Sequence, residues 1–123
     1  MAITSLRRGS WPANTAYAEA GAVTQGGGAK TTTVVMSQMQ GVITTDDANL
    51  AAATEVIFTV TNTLVELTDT VVVAIQSGGT AGEYFAQVVT VANGSFIIAL
   101  TNLTGGTLGD AVIINFAVIR GDQ

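Results

Sequence analysis

Tyr84-Phe85-Ala86-Gln87-Val88-Val89-Thr90-Val91-Ala92-Asn93-Gly94-Ser95-Phe96-Ile97-Ile98-Ala99-Leu100-Thr101-Asn102 is the stretch that decides the fold of this chain. Two apolar, β-branched runs flank an Asn-Gly pair, the strongest short-range signal for a β-hairpin. The pair predicts a two-residue turn with positive φ at both Asn93 and Gly94. Successive side chains of a strand point to opposite faces, so Phe96, Ile98 and Leu100 share one face, and Ser95, Ile97, Ala99 and Thr101 share the other. Both faces hold apolar residues.

The same grammar runs outward in both directions. Residues 55–62 alternate, with Val56, Phe58 and Val60 opposite Glu55, Ile57, Thr59 and Thr61. Residues 70–76 set Val71, Val73 and Ile75 against Val72, Ala74 and Gln76, after a turn at residues 66–69. Residues 111–119 close the domain with Val112, Ile114, Phe116 and Val118 on one side. Residues 31–36 read as a first strand and residues 41–44 as a short second one. Residues 46–53 read as a loop, with Asp46 and Asp47 as turn formers. The glycine-rich segments at residues 77–82 and 104–107 are loops between strands.

Short strands at this spacing, with one proline and no amphipathic helical period, predict an all-β chain: an antiparallel β-sandwich or jelly-roll-like barrel. The expected core is Val56, Phe58, Val60, Val71, Val73, Ile75, Val88, Phe96, Ile98, Leu100, Ile114 and Phe116. Strands that are apolar on both faces need cover on both. One face fills the domain's own core, and the other is expected to meet a second copy or a host surface.

Residues 1–30 differ in composition. Ile3, Leu6, Trp11 and Tyr17 are large apolar anchors among Ala, Ser, Asn and Gly, and Gln25-Gly26-Gly27-Gly28 reads as a flexible joint. The division expected is an extended N-terminal arm over residues 1–30 and a β-sandwich domain over residues 31–123. Ile3, Leu6, Arg7, Arg8, Trp11 and Tyr17 are the candidate contacts to a partner surface or a neighbouring subunit.

Of the 123 residues, 48% are hydrophobic and only 11% charged, so a Thr-, Ser-, Asn- and Gly-rich surface is expected. Cys and His are both absent, which removes thiolate nucleophiles, disulfides, zinc–sulfur sites and the usual general base. No catalytic residue, metal site or cofactor is expected. Asp46-Asp47 with Asn49 lacks the alternation and closing Glu of a calcium loop. Seven aromatics, several of them core candidates, leave no sugar platform beside a carboxylate pair. The glycine clusters match neither a phosphate loop nor a dinucleotide fingerprint. Glu66, Asp69 and Asp110 read as solvated loop carboxylates. Asn93-Gly94-Ser95 and Asn102-Leu103-Thr104 fit the N-glycosylation pattern. A net charge of -5 without a basic stripe argues against nucleic acid, and no apolar run reaches the length of a membrane span.

Over residues 42–120 the chain resembles a group of small bacteriophage virion proteins of the head decoration, or cement, type. The likeness rests on Phe58-Thr59-Val60-Thr61-Asn62, on Ser77-Gly78-Gly79-Thr80-Ala81-Gly82 before Tyr84, and on Gly94-Ser95-Phe96. Asn102-Leu103 with Gly105-Gly106, and Ile114-Asn115-Phe116-Ala117-Val118-Ile119, complete it. The resemblance implies a β-sandwich without catalysis that binds the major capsid protein on the outer capsid surface of the virion, after assembly in the host cytoplasm. It also implies a homo-oligomer, with a homotrimer expected at the threefold positions of an icosahedral shell. The alternative is a fibre or spike domain that recognises a host polysaccharide through the loops at residues 77–82 and 104–110.

Overall fold

The computed structural model describes residues 20–121. Eight strands form in chain order: β1 (Gly21–Thr24), β2 (Val34–Val35), β3 (Gln40–Thr44), β4 (Glu55–Thr61), β5 (Thr70–Ser77), β6 (Tyr84–Ala92), β7 (Ser95–Asn102) and β8 (Ile113–Ile119). No helix occurs among the described residues. The strands make two four-stranded sheets, sheet A in the order β1-β3-β8-β5 and sheet B in the order β2-β4-β7-β6. Every connection except the β6–β7 hairpin therefore passes from one sheet to the other. The two sheets enclose one core, as a β-sandwich does.

Both sheets are mixed, a departure from the antiparallel expectation. β1 runs parallel to β3 and β2 parallel to β4, while all other pairs are antiparallel. The reason lies in the connections, since a strand that arrives from the opposite sheet is not bound to the hairpin geometry that forces antiparallel pairing. β1 also lies inside the segment expected to be an arm. Its Val23 packs against the core, and its four residues pair in register with residues 41–44.

All twelve expected core residues lie in the apolar cluster, with Val56, Val73, Ile75 and Val88 at its partly covered margin. The structure adds Val34, Met36, Ile43, Leu50, Val65, Tyr84, Val112 and Val118. At the centre, Phe96 of β7 meets Phe116 of β8 across the sandwich, ring centroids 5.3 Å apart and tilted by 55°. Gly41 is what lets the sheet close over this pair. It stands opposite Phe116, and a β-carbon there would collide with the sulfur of Met36 and lie 3.0 Å from the Phe116 ring.

The hairpin forms as expected, with Ala92 opposite Ser95, but its turn differs. Gly94 has φ of 86°, whereas Asn93 is not among the residues with positive φ. Tertiary contacts set this geometry. Asn93 Oδ1 accepts a hydrogen bond from the Leu67 amide at 2.8 Å, and the Gly94 amide donates to the Val65 carbonyl at 2.9 Å. A bulge between Val88 and Thr90 also breaks the alternation of β6. The extra residue leaves Thr90 exposed and turns Val91 onto the core, where strict alternation would have put Thr90 inside.

Two buried asparagines finish the central strands of sheet B at opposite ends. Asn62 Oδ1 accepts from the amide of Leu64, and Asn102 Oδ1 accepts from the amide of Thr104, each an Asx turn that stops a strand. Each amide group then reaches outside its own strand. Asn62 Nδ2 donates to the Gln38 carbonyl at 2.6 Å; Asn102 Nδ2 is shared by the carbonyls of Leu50, Ala51 and Gly106 at 2.8 to 3.1 Å. Replacing Asn102 with alanine removes a fully buried side chain that ties those three carbonyls together. The expected loss is about 2–4 kcal/mol in urea unfolding, larger than that of any exposed polar substitution.

Candidate subunit-binding faces

Charge is nearly absent from the sheets. Of all residues in the eight strands, only Glu55 is charged; the other charged residues lie in the connections and the terminal segments. Exposed sheet edges are commonly defended by lysine, proline or bulges. Here no strand holds a lysine or a proline, and bulges mark only β5 and β6.

The outward face of sheet B follows from the period of two. Phe58, Val60, Phe96, Ile98 and Leu100 point inward and are buried, which turns Ile57, Thr59, Ile97, Ala99 and Thr101 outward. Ile57 is 49% exposed, Phe85 50%, Val89 45% and Val35 65%. Register places Ile57 beside Ala99 and Gln87, with Phe85 one row away beside Thr101. Ala99 is fully buried on this outer face, enclosed by its neighbours rather than by the core. The surface is thus a flat apolar field edged by Thr and Gln, with a single carboxylate at its end. The outward face of sheet A carries Val72 and Ile119, both about half exposed, with Val42, Ala74, Asn115 and Ala117 between them.

The expectation that the strands are apolar on both flanks is therefore visible in the exposed residues themselves. The six candidate contacts of the arm, Ile3, Leu6, Arg7, Arg8, Trp11 and Tyr17, fall in residues 1–19 and lie outside the described residues. The described remainder of that segment is built into the fold. Gln25 is buried and donates to the carbonyls of Lys30 and Thr32, while its Oε1 accepts from the Asp46 amide at 3.0 Å. The glycines after it form a turn, with φ of 80° at Gly27 and 71° at Gly28.

Lys30 is buried as well, and its ammonium donates to the backbone carbonyls of Asp46 and Asp110. Burial lowers its pKa, against the opposing pull of Asp46, Asp110 and Asp47. Nearby, the Tyr84 hydroxyl donates to Asp110 Oδ2 at 3.0 Å; burial, with that carboxylate, pushes the phenol up to about 12. These groups lock the loops at one end of the sandwich together. Asp110 is thus a structural acceptor rather than the solvated carboxylate expected. Asp46 behaves as the turn former expected, accepting from the amides of Ala48 and Gly28. Among the described residues no group of three or more potential ligands could hold a metal ion.

At the other end, Asp69 also departs from the solvated reading. It accepts from the amides of Glu66 and Gly121 and from Arg120 Nη1 at 3.0 Å, with its side chain fully covered. Burial raises its pKa, but those two amides and the Arg120 guanidinium outweigh that and hold it below the ordinary carboxylate range. A depressed native pKa contributes stability above the unfolded value, near 3.9, and loses it as pH falls through the native value. Urea unfolding is therefore expected to weaken below about pH 4. That acid slope flattens in Asp69→Asn, at the cost of lower stability at neutral pH.

The two glycosylation-like sites separate on burial. Asn102 is fully enclosed, with Thr104 Oγ1 bound to its own Oδ1, so this sequence pattern is a strand stop; Asn93 is exposed. No sequence signal distinguished the buried Lys30, Asn62, Asp69 and Asn102 from surface polar residues. Only the partners that the fold brings to them do so. No protein-family model, no curated protein and no solved structure matches the chain.

Proposed function

We propose that this chain is a structural protein of a phage virion, a head decoration or cement protein. In this reading it binds the major capsid protein on the outer capsid surface as a homo-oligomer, a homotrimer at threefold positions. The observation that carries the reading is the uncharged outer face of sheet B, where Ile57 and Phe85 stand half exposed with no charged residue but Glu55. A face of this kind costs free energy in water and gains it when a second copy covers it. An interface of standard size needs about 800 Å² from each partner, the scale of one sheet face. The arm anchors Ile3, Leu6, Trp11 and Tyr17, with Arg7 and Arg8, then reach the capsid protein. No catalytic step, cofactor, nucleic acid or membrane enters this role.

The test is a comparison of capsids with and without the protein. Particles that lack it should open at lower temperature, and adding the purified chain back should restore the difference. Equal robustness of the two would remove the cementing role. A second reading, a fibre domain that recognises a polysaccharide, is favoured by one feature: a recess of about 350 Å³ beside Tyr84, walled by the loop at residues 77–82. A handful of copies per virion and a glycan hit lost on changing that loop would select it.

A further inference from the structure

Asn93-Gly94 is the one place in the sequence where glycine follows asparagine. That dipeptide carries its own reaction. The backbone nitrogen of the glycine attacks the side-chain carbonyl carbon of the asparagine, a five-membered ring closure that no β-carbon on the glycine hinders. The backbone nitrogen gives its proton to hydroxide, the side-chain nitrogen takes one from water and leaves as ammonia, and a cyclic imide remains. Water then opens the imide at either carbonyl, to aspartate or to isoaspartate, whose backbone continues through the former side-chain carbon.

Access favours this reaction here. Asn93 is exposed, and a β-carbon at Gly94 would meet nothing within 4 Å, so water and hydroxide reach the turn. Geometry opposes it. The amide of Gly94, the attacking group, donates to the Val65 carbonyl at 2.9 Å, and the Gly94 carbonyl accepts from the Asn62 amide at 2.9 Å. Asn93 Oδ1, on the carbon under attack, accepts from the Leu67 amide at 2.8 Å. Ring closure requires the Gly94 nitrogen to lose its proton and the Asn93 side chain to swing onto it, and each movement breaks one of these bonds. The segment that supplies the partners is itself anchored, because Asn62 is fully buried with its Nδ2 on the Gln38 carbonyl.

We propose that Asn93 is a deamidation site that residues 62–67 hold closed, and that local opening of this segment releases it. The inference goes beyond the virion role and does not depend on it. Conversion to isoaspartate adds a backbone carbon between Ala92 and Ser95, which stand directly opposite each other, so the tip of the β6–β7 hairpin changes shape as the molecule ages.

Peptide mass spectrometry of the full 123-residue chain, incubated at mildly alkaline pH, follows the conversion. The native chain is expected to convert roughly tenfold to hundredfold more slowly than the same chain unfolded in urea at equal pH and temperature, since two hydrogen bonds must open first. Leu67→Pro isolates the contact to Asn93. Leu67 is 63% exposed and is the second residue of a turn in which the Asp69 amide donates to the Glu66 carbonyl, a position that suits proline. The substitution therefore removes the amide donor and spares the turn. It should speed conversion roughly threefold to tenfold, whereas Leu67→Ala, which keeps the amide, should convert at the native rate. Equal rates in native and unfolded chains overturn the proposal, as do equal rates in Leu67→Pro and Leu67→Ala. Circular dichroism checks that both variants are folded; if Leu67→Pro is not, the comparison of native with unfolded chain decides alone.

Discussion

Phe96→Ala lowers the stability of the domain by about 3–5 kcal/mol, and its thermal midpoint on the order of 15–25 °C. The ring is fully buried at the centre of the sandwich and packs against Phe116, an aromatic pair that bridges the two sheets. Its removal takes away apolar contact on both sheets and leaves a cavity that two rigid ladders cannot collapse to fill. For a domain whose whole stability is about 5–15 kcal/mol, such a loss approaches unfolding. Phe85→Ala is the internal control. It sits in the same hairpin but is half exposed on the outer face, so its loss in a thermal melt stays within about 1 kcal/mol. Similar losses at the two positions would contradict the placement of the core.

The second large effect concerns assembly rather than folding. Ile57→Glu combined with Phe85→Glu puts two carboxylates on the face of sheet B that the proposed subunit contact would cover. Burying a charge without a partner is strongly unfavourable, and the apolar contribution of both side chains is lost as well. The expected penalty is about 3 kcal/mol or more per contact, near two orders of magnitude in dissociation constant. Circular dichroism should change little, because both positions face away from the core, while the thermal midpoint loses only what assembly contributes. Oligomer and capsid binding should fall together if one face serves the assembly.

Much of the fold was legible because the period of two is strict over residues 55–62, 70–76 and 95–102, and those strands supplied nine of the twelve expected core residues. β6 was harder to read. The bulge between Val88 and Thr90 shifts its phase in mid-strand, and nothing in a β-branched run marks where an extra residue is inserted. β1 was hidden for a different reason. Gly21-Ala22-Val23-Thr24 is too short and too small to announce a strand, and its pairing depends on β3, which lies beyond the glycine turn. The hairpin at Asn93-Gly94 was recognised by its local chemistry, yet the φ of Asn93 was set by residues 65 and 67, which no local rule includes.

The candidate faces were legible in outline for the same reason as the core. Val72, Ile57 and Phe85 interrupt the polar side of the alternation, and each lies half exposed on an outer face. The buried polar residues were not legible. Asp69 is an acid in a loop, and composition gives such residues to solvent; its enclosure depends on Arg120 and Gly121 arriving from a distant part of the chain, just as the half-buried Asp110 carboxylate depends on the hydroxyl of Tyr84. The uncharged strands, in contrast, could be read directly from the sequence once their limits were known.

Sedimentation equilibrium of the purified 123-residue chain at neutral pH distinguishes an assembly through sheet B from a monomer. The account predicts a mass several times the 12.5 kDa of one chain, reduced to a single chain in the Ile57→Glu, Phe85→Glu variant. A native chain that sediments as a 12.5 kDa monomer at every concentration would contradict it.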